Sequence, residues 1–159
     1  MITTLLFCLP STATSRMGNA EIIDLNGTPC FSIPENFETR DGLPLHGIFI
    51  NELPNGDRNN LPNSVWSFRP VDYDSLPKIF PNKCILFGEN PAGTNQRTFE
   101  PLQLLKIYSV YIQAKHDGSS MIGYTGKFCL KPAGSGRTFV QVIPEDPSLG
   151  EARFAGCSR

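Results

Sequence analysis

The segment Leu104–Lys131 restricts the possible fold more than any other part of the chain. Apolar residues alternate with more polar ones on both sides of a short polar stretch: Tyr108, Val110, Ile112 and Ala114 before it, and Ile122, Tyr124, Phe128 and Leu130 after it. Side chains alternate across a strand with period two, so this pattern predicts two strands that share one buried face. The Asp117-Gly118 step supplies the positive φ that a hairpin connection needs. We therefore expect a long β-hairpin here.

Shorter strand patterns occur along the rest of the chain, and no segment shows a helical period. The clearest are at 21–25, 29–33, 45–51, 65–69, 83–87 and 137–143. The sequence therefore predicts an all-β fold, namely an immunoglobulin-like β-sandwich of about seven or eight short strands, with a barrel as the alternative. The order and spacing of Trp and Cys do not match those of antibody domains. The prediction thus concerns the architecture and not that superfamily.

Length and charge suit one domain with no affinity for nucleic acid. The chain has 159 residues, which is enough to bury a core. We expect a possible leader at 1–16, a single β-sandwich domain at 21–143 and a C-terminal tail at 144–159. The 14 Lys and Arg nearly balance the 15 Asp and Glu, so there is no basic footprint for nucleic acid. Neither sign is in enough excess to steer a charged partner.

The first 16 residues have the outline of an export signal. A short apolar run is followed by small polar residues, although the basic n-region of a secretory signal is missing. The run is too short to span a bilayer. Cys8 follows Leu5-Leu6-Phe7 and is a candidate for lipidation as in a bacterial lipobox, but Phe7 stands where a small residue is usual. The alternative is a different start, at Met17 or further upstream. We expect export, with Cys8 as the only possible membrane anchor.

The remaining cysteines form an even set without a CxxC pair: Cys30, Cys84, Cys129 and Cys157. Zinc sites need closely spaced ligand pairs, and both histidines, His46 and His116, are isolated. The set therefore predicts disulfides, which require an oxidising compartment. Three connectivities remain open, and the alternative is four buried free thiols.

No catalytic signature occurs in the chain. It lacks a GxSxG elbow, a glycine-rich phosphate loop that opens a helix, and HExxH. The pair Asp72-x-Asp74 has no third carboxylate nearby and predicts a solvated turn. His46 alternates with Ile48 and Ile50, which predicts a structural histidine and not a ligand. A glycosidase needs only two carboxylates brought together by the fold, and the sequence does not exclude that. We predict no enzyme activity, catalytic residue, metal or cofactor.

Three segments rich in proline and asparagine predict long loops, at 52–64, 70–82 and 88–101. Long loops on a rigid scaffold often carry function, and proline lowers the entropy that they lose on ordering. Arg58, Arg69 and Arg97 lie in or beside these loops, and Arg is enriched at protein interfaces. These arginines are therefore the candidates for contact with a protein partner. The alternative is that each loop is a plain solvated connection.

Several short motifs between residues 29 and 143 occur together in one protein family. They are PCFSIP at 29–34, CI at 84–85 with Gly88-Glu89, PLQ at 101–103, KIYSVYI at 106–112, GYTGKFCLKP at 123–132 and VQVI at 140–143. In these motifs the chain resembles the type VI secretion immunity periplasmic lipoproteins. The resemblance implies a periplasmic protein that binds and neutralises a toxic effector by occlusion, without chemistry of its own. It carries over no functional residue. The alternative function is that of a secreted carbohydrate-binding or hydrolase accessory β-sandwich domain.

Overall fold

The structure is a computed structural model that describes residues 16–54, 62–116, 120–144 and 157. These residues contain β-strands and no α-helix. Among them there is accordingly no helix long and apolar enough to span a membrane. The strands are β1 (Arg16–Asn19), β2 (Glu21–Leu25), β3 (Thr28–Ser32), β4 (Leu43–Glu52), β5 (Asn63–Pro70), β6 (Lys78–Ile79), β7 (Ile85–Leu86), β8 (Thr94–Phe99), β9 (Ile107–Lys115), β10 (Met121–Ala133) and β11 (Arg137–Ile143). The all-β prediction is confirmed.

The strands form two sheets that pack face to face. The large sheet has eight strands in the order β1-β10-β9-β4-β5-β8, with β11 also paired to β10 and β6 to β4. The small sheet has the order β2-β3-β7. Phe31 of β3 crosses the interface, with its ring centroid 6.0 Å from that of Trp66 and 5.5 Å from that of Phe128. The architecture is therefore a β-sandwich, as predicted.

An immunoglobulin-type strand order is not confirmed. Constant-type immunoglobulin domains divide seven strands into antiparallel sheets of four and three. Here the sheets hold eight and three strands, and β1 pairs with β10 in parallel. Three strands fall outside the strand patterns that the sequence predicts: β1 precedes the predicted domain start at residue 21, and β6 and β8 lie in predicted loops. These three strands account for the excess over seven or eight.

The central hairpin has the predicted buried face. β9 and β10 pair in the register that sets Ala114 opposite Ile122 and Ile112 opposite Tyr124. All eight of the predicted inward residues are buried. The amide of His116 donates a hydrogen bond to the carbonyl of Ser120, at 2.9 Å, and closes the connection. The predicted Asp117-Gly118 turn lies outside the described residues.

A β-bulge in β4 changes the predicted environment of His46. The register shifts between Leu45, which faces Ala114, and Gly47, which faces Gln113. Because a bulge inserts an extra residue into one strand, the row of Ile48 and Ile50 continues to Leu45 and not to His46. Leu45 is fully buried in the core, whereas His46 is partly exposed. The prediction that His46 shares the face of Ile48 is wrong.

Two disulfides select one of the three possible connectivities. Cys30 in β3 is bonded to Cys84, just before β7, and Cys129 in β10 is bonded to Cys157 in the predicted tail. Cys157 is buried in a second apolar cluster together with Ile107, Cys129 and Ile143. The disulfide prediction is confirmed, and the alternative of four free thiols is wrong. The chain beyond β11 is thus covalently attached to the large sheet at Cys157.

Candidate functional site

The arginines predicted to contact a partner do not share one loop. Arg69 is an exposed residue of β5, and its guanidinium carbon lies 5.4 Å from the centroid of the Phe49 ring. Arg97 is exposed in β8, which is a strand where the sequence predicts a continuous loop. Arg58 lies outside the described residues. The prediction that 88–101 is a loop throughout is therefore wrong, and Arg97 belongs to a sheet edge.

Two of the three predicted loops meet at one end of the sandwich. Pro70, the last residue of β5, pairs with Thr94, the first residue of β8. The amide of Val71 then donates to the carbonyl of Gly93 at 2.9 Å, so the segments 71–77 and 88–93 are neighbours. By contrast, Glu52 pairs with Asn63 at the other end of β4 and β5. The chain thus enters and leaves the third predicted loop, 52–64, at the opposite end.

A turn between β3 and β4 lies at the same end of the sandwich as the segments 71–77 and 88–93. Asn36 Oδ1 accepts hydrogen bonds from the amides of Glu38, at 2.8 Å, and Thr39, at 3.1 Å. The hydroxyl of Thr39 donates to the carbonyl of Pro34 at 2.7 Å and accepts from the amide of Asn36 at 2.9 Å. Thr39 has no exposed surface. Side-chain bonds of this kind replace a regular backbone ladder and fix a turn. We call residues 35–42 the Phe37 turn.

Contacts with neighbouring segments hold the Phe37 turn in place. Glu35 accepts a hydrogen bond from Asn82 Nδ2 at 3.0 Å, and the carbonyl of Asp41 accepts one from Lys78 Nζ at 3.3 Å. Gly42 has a φ of +75°, and an added Cβ would lie 2.5 Å from the Phe80 ring. A glycine is therefore needed at this position for both its backbone conformation and its close packing. The turn is thus attached to β6 and to the segment that follows it by both polar and apolar contacts.

The turn presents an aromatic ring to solvent. Phe37 is 82% exposed, the largest value among the described large hydrophobic residues. The guanidinium carbon of Arg40 lies 5.0 Å from its ring centroid, in a cation–π contact. The hydrogen bonds around Asn36 and Thr39 order the backbone that carries Phe37. The aromatic side chain is thus displayed by an ordered backbone.

Ionic contacts at the base of the turn connect it to the large sheet. Glu38 Oε1 lies 3.0 Å from Arg16 Nη1 in β1 and 3.9 Å from His116 Nε2 beyond β9. Burial raises the pKa of the nearby Tyr124 hydroxyl, and the charge of Glu38 acts in the same direction. Exposed ion pairs contribute little to stability. These contacts place Glu38 of the turn beside β1 and the end of β9.

Two more exposed apolar residues lie at the same end of the sandwich. Val71 is 62% and Tyr73 is 56% exposed, and the Tyr73 ring centroid lies 5.7 Å from that of His46. Burial lowers the pKa of His46, and the charge of Lys115 lowers it further. The Phe37 turn and the segment 71–77 together form what we call the loop-end surface. Its exposed large apolar side chains are Phe37, Val71 and Tyr73.

The described residues offer no candidate metal site. They contain no group of three or more His, Cys, Asp and Glu side chains able to hold a metal ion. The amide of Asp74 donates to Asp72 Oδ1 at 2.9 Å, which makes this pair a local turn. At the opposite end, Lys106 Nζ is paired with Glu52 Oε1 at 2.7 Å, and this hydrogen bond and charge raise the pKa of Lys106. Asp72, Lys106 and Glu52 therefore each have a structural partner.

Sequence reasoning missed Phe37. The residue stands alone between polar neighbours, so it contributes to no strand or core pattern. One signal was available: Asn36 and Thr39 are three positions apart, the spacing at which Asx and Ser/Thr side chains close a turn. This signal predicts a turn around Phe37. Its exposure, however, depends on what packs over it, which local sequence does not specify.

The fold and this surface define a disulfide-bonded all-β sandwich that displays an aromatic turn at one end. Comparisons of the chain with protein-family models, with curated proteins and with solved structures gave no match.

Proposed function

We propose that this protein is an exported, non-enzymatic binding protein that acts as an immunity factor and neutralises a type VI secretion effector in the periplasm. The observation that carries the proposal is the loop-end surface, where Phe37, Val71 and Tyr73 are exposed on ordered backbone. Exposed aromatic side chains next to arginine are typical of the few residues that dominate protein interfaces. Occlusion of a toxic protein needs such a surface and no catalytic group.

The disulfides support the proposed location. Cys30–Cys84 and Cys129–Cys157 are compatible with an oxidising compartment, where disulfides form and persist. Lipid attachment through Cys8 is part of the proposal, although Cys8 lies outside the described residues. Mass spectrometry of the intact protein, purified from membrane and soluble envelope fractions, tests both points. A diacylglycerol adduct on Cys8 and a mass increase on reduction are expected, whereas a fully reduced cytosolic chain would contradict export.

Neutralisation of a toxin tests the function directly. Proteins encoded beside the gene are expressed one at a time with a periplasmic signal, with and without the full chain. We expect one of them to stop growth alone, to be harmless with the chain, and to form a complex with it when both are purified. A matched control expresses the chain without export. If no toxic neighbour is neutralised by the exported chain, the proposed function is wrong.

A carbohydrate-binding function is the second candidate, and one feature favours it. On the outer face of the large sheet, the rings of Phe49 and Tyr111 lie 6.2 Å apart at an interplanar angle of 30°. Tyr111 extends over Gly123, where an added Cβ would lie 2.6 Å from its ring. Partly exposed aromatic rings on a sheet present apolar faces on which a sugar ring can stack. Glycan-array binding that is lost in Tyr111→Ala and kept in Phe37→Ala would favour this function.

A further inference from the structure

We infer that the Phe37 turn is the anchor of the partner interface: Phe37 enters an apolar pocket of the effector, and Arg40 pairs with a carboxylate at the rim of that pocket. The inference rests on the proposed function and specifies the surface that performs it. It identifies the partner surface by its chemistry, as an apolar pocket with an acidic edge.

The first argument is pre-organisation. Binding normally loses free energy when loops and side chains become ordered at an interface. Here the side chains of Asn36 and Thr39 already fix the turn, and Thr39 is fully buried beneath it. Lys78 of β6 adds the bond to Asp41, and Asn82, which follows β6, adds the bond to Glu35. The backbone that carries Phe37 is therefore ordered before any partner arrives, and little loop ordering remains to oppose binding.

The second argument is the charge that the turn leaves available. Glu35 is bonded to Asn82, and Glu38 is paired with Arg16 and lies near His116. Arg40 contacts only its neighbour Asp41 among the described ion pairs, at 3.8 Å, with both side chains largely exposed. Such a pair is weak in water. The turn therefore offers an aromatic ring beside a cation, and the complementary surface is apolar with a carboxylate near its edge.

The third argument distinguishes Phe37 from the other exposed aromatic residues. Phe99 is 52% exposed, but its ring centroid lies 5.6 Å from that of Phe87, and it packs closely against Gly88. The ring of Tyr73 likewise has an aromatic neighbour, since its centroid lies 5.7 Å from that of His46. The only ring contact found for Phe37 in the described structure is the cation of its own turn. Among the aromatic residues that the structure describes, Phe37 is thus the one with the largest exposed fraction left to bury.

Isothermal titration calorimetry with the effector neutralised in the growth experiment tests the inference. The full chain is compared with Phe37→Ala, Arg40→Ala and the matched control Phe99→Ala. We expect Phe37→Ala to weaken binding about 30-fold and Arg40→Ala about tenfold, as at interface hot spots. The control is expected to stay within about twofold, as for most interface-distant residues. The Arg40 effect decreases in 0.5 M salt because an exposed ion pair is screened.

Each outcome of these binding measurements either supports the inference or overturns it. Because Phe37 makes few contacts, its variant keeps the melting temperature of the full chain, so lost affinity means a lost contact. Unchanged affinity of Phe37→Ala with a functional full chain overturns the inference and leaves the proposed function standing. Failure of the full chain to bind the effector overturns both. Analytical ultracentrifugation that shows a dimer lost in Phe37→Ala assigns the turn to a second copy of this chain and also overturns the inference.

Discussion

Removal of the two disulfides tests how this sandwich is stabilised. A cross-link stabilises the folded chain mainly by restricting the unfolded one, and the effect grows with the length of the closed loop. Cys30 and Cys84 are 54 residues apart, which corresponds to about 4 kcal/mol at 25 °C. Cys129 and Cys157 are 28 residues apart, which corresponds to about 3.6 kcal/mol. We expect replacement of either pair by alanine to lower the free energy of unfolding by nearly this amount.

The two closed loops do not overlap in sequence, so their effects should add. Effects at separate sites without shared partners usually add to within about 0.5 kcal/mol. The chain with all four cysteines replaced should therefore lose about 7–8 kcal/mol. Domains of this kind have unfolding free energies of roughly 5–15 kcal/mol. The fully reduced chain is thus expected to lose a large share of its folded population.

Unfolding in guanidinium chloride measures these losses. Trp66 is the single tryptophan and is completely buried, so its fluorescence reports loss of the core. Four chains are compared: the parent, each double alanine variant and the quadruple variant, all with Cys8→Ser to prevent thiol exchange. The m-value should rise as cross-links are removed, because a longer unfolded chain exposes more surface. A pair that costs less than about 1 kcal/mol, or a quadruple variant far from additive, would refute this reasoning.

Three further predictions use the same unfolding measurement. Phe31→Ala should lower the free energy of unfolding by about 3–5 kcal/mol because its ring fills the space between the sheets, whereas the exposed Phe37→Ala should change it by less than about 0.5 kcal/mol; similar losses for both would contradict the assigned burial. Gly27→Ala should cost about 1–3 kcal/mol, since Gly27 has a φ of +86° and the new Cβ meets the backbone oxygen of Thr138 at 2.7 Å; Gly134→Ala, with nothing within 4 Å, is the control that should be nearly neutral. The pKa of His46 is lowered in the folded chain, whereas in the unfolded chain it has its ordinary value of about 6.5. As the pH falls through about 6.5, the unfolded chain therefore binds a proton that the folded chain does not, and the free energy of unfolding decreases. Above that pH the residue has no effect on stability. His46→Gln should flatten that part of the pH profile, and a parent curve no steeper than the variant's would count against the assignment.

The β-hairpin and the sandwich class are determined by local sequence. Alternation with period two depends only on neighbouring residues, and it correctly gives the buried face of β9 and β10. The even set of widely spaced cysteines likewise predicts disulfides from composition. The same pattern does not predict β8. This strand lies at the edge of the sheet and has polar residues on both faces, so its sequence TNQRTF shows no alternation.

Only the tertiary structure decides which distant residues meet. Three features depend on how the strands pair. They are the bond between Cys30 and Cys84, the bulge that places Leu45 in the core, and the contact between the segments 71–77 and 88–93 at one end. The exposure of Phe37 is decided in the same way. The sequence contains an aromatic residue in a polar turn, but whether that ring is covered depends on the packing of segments far away in the chain. Local patterns determine which residues form strands and which side of each strand is buried. The pairing of distant strands determines which segments lie next to each other at the surface.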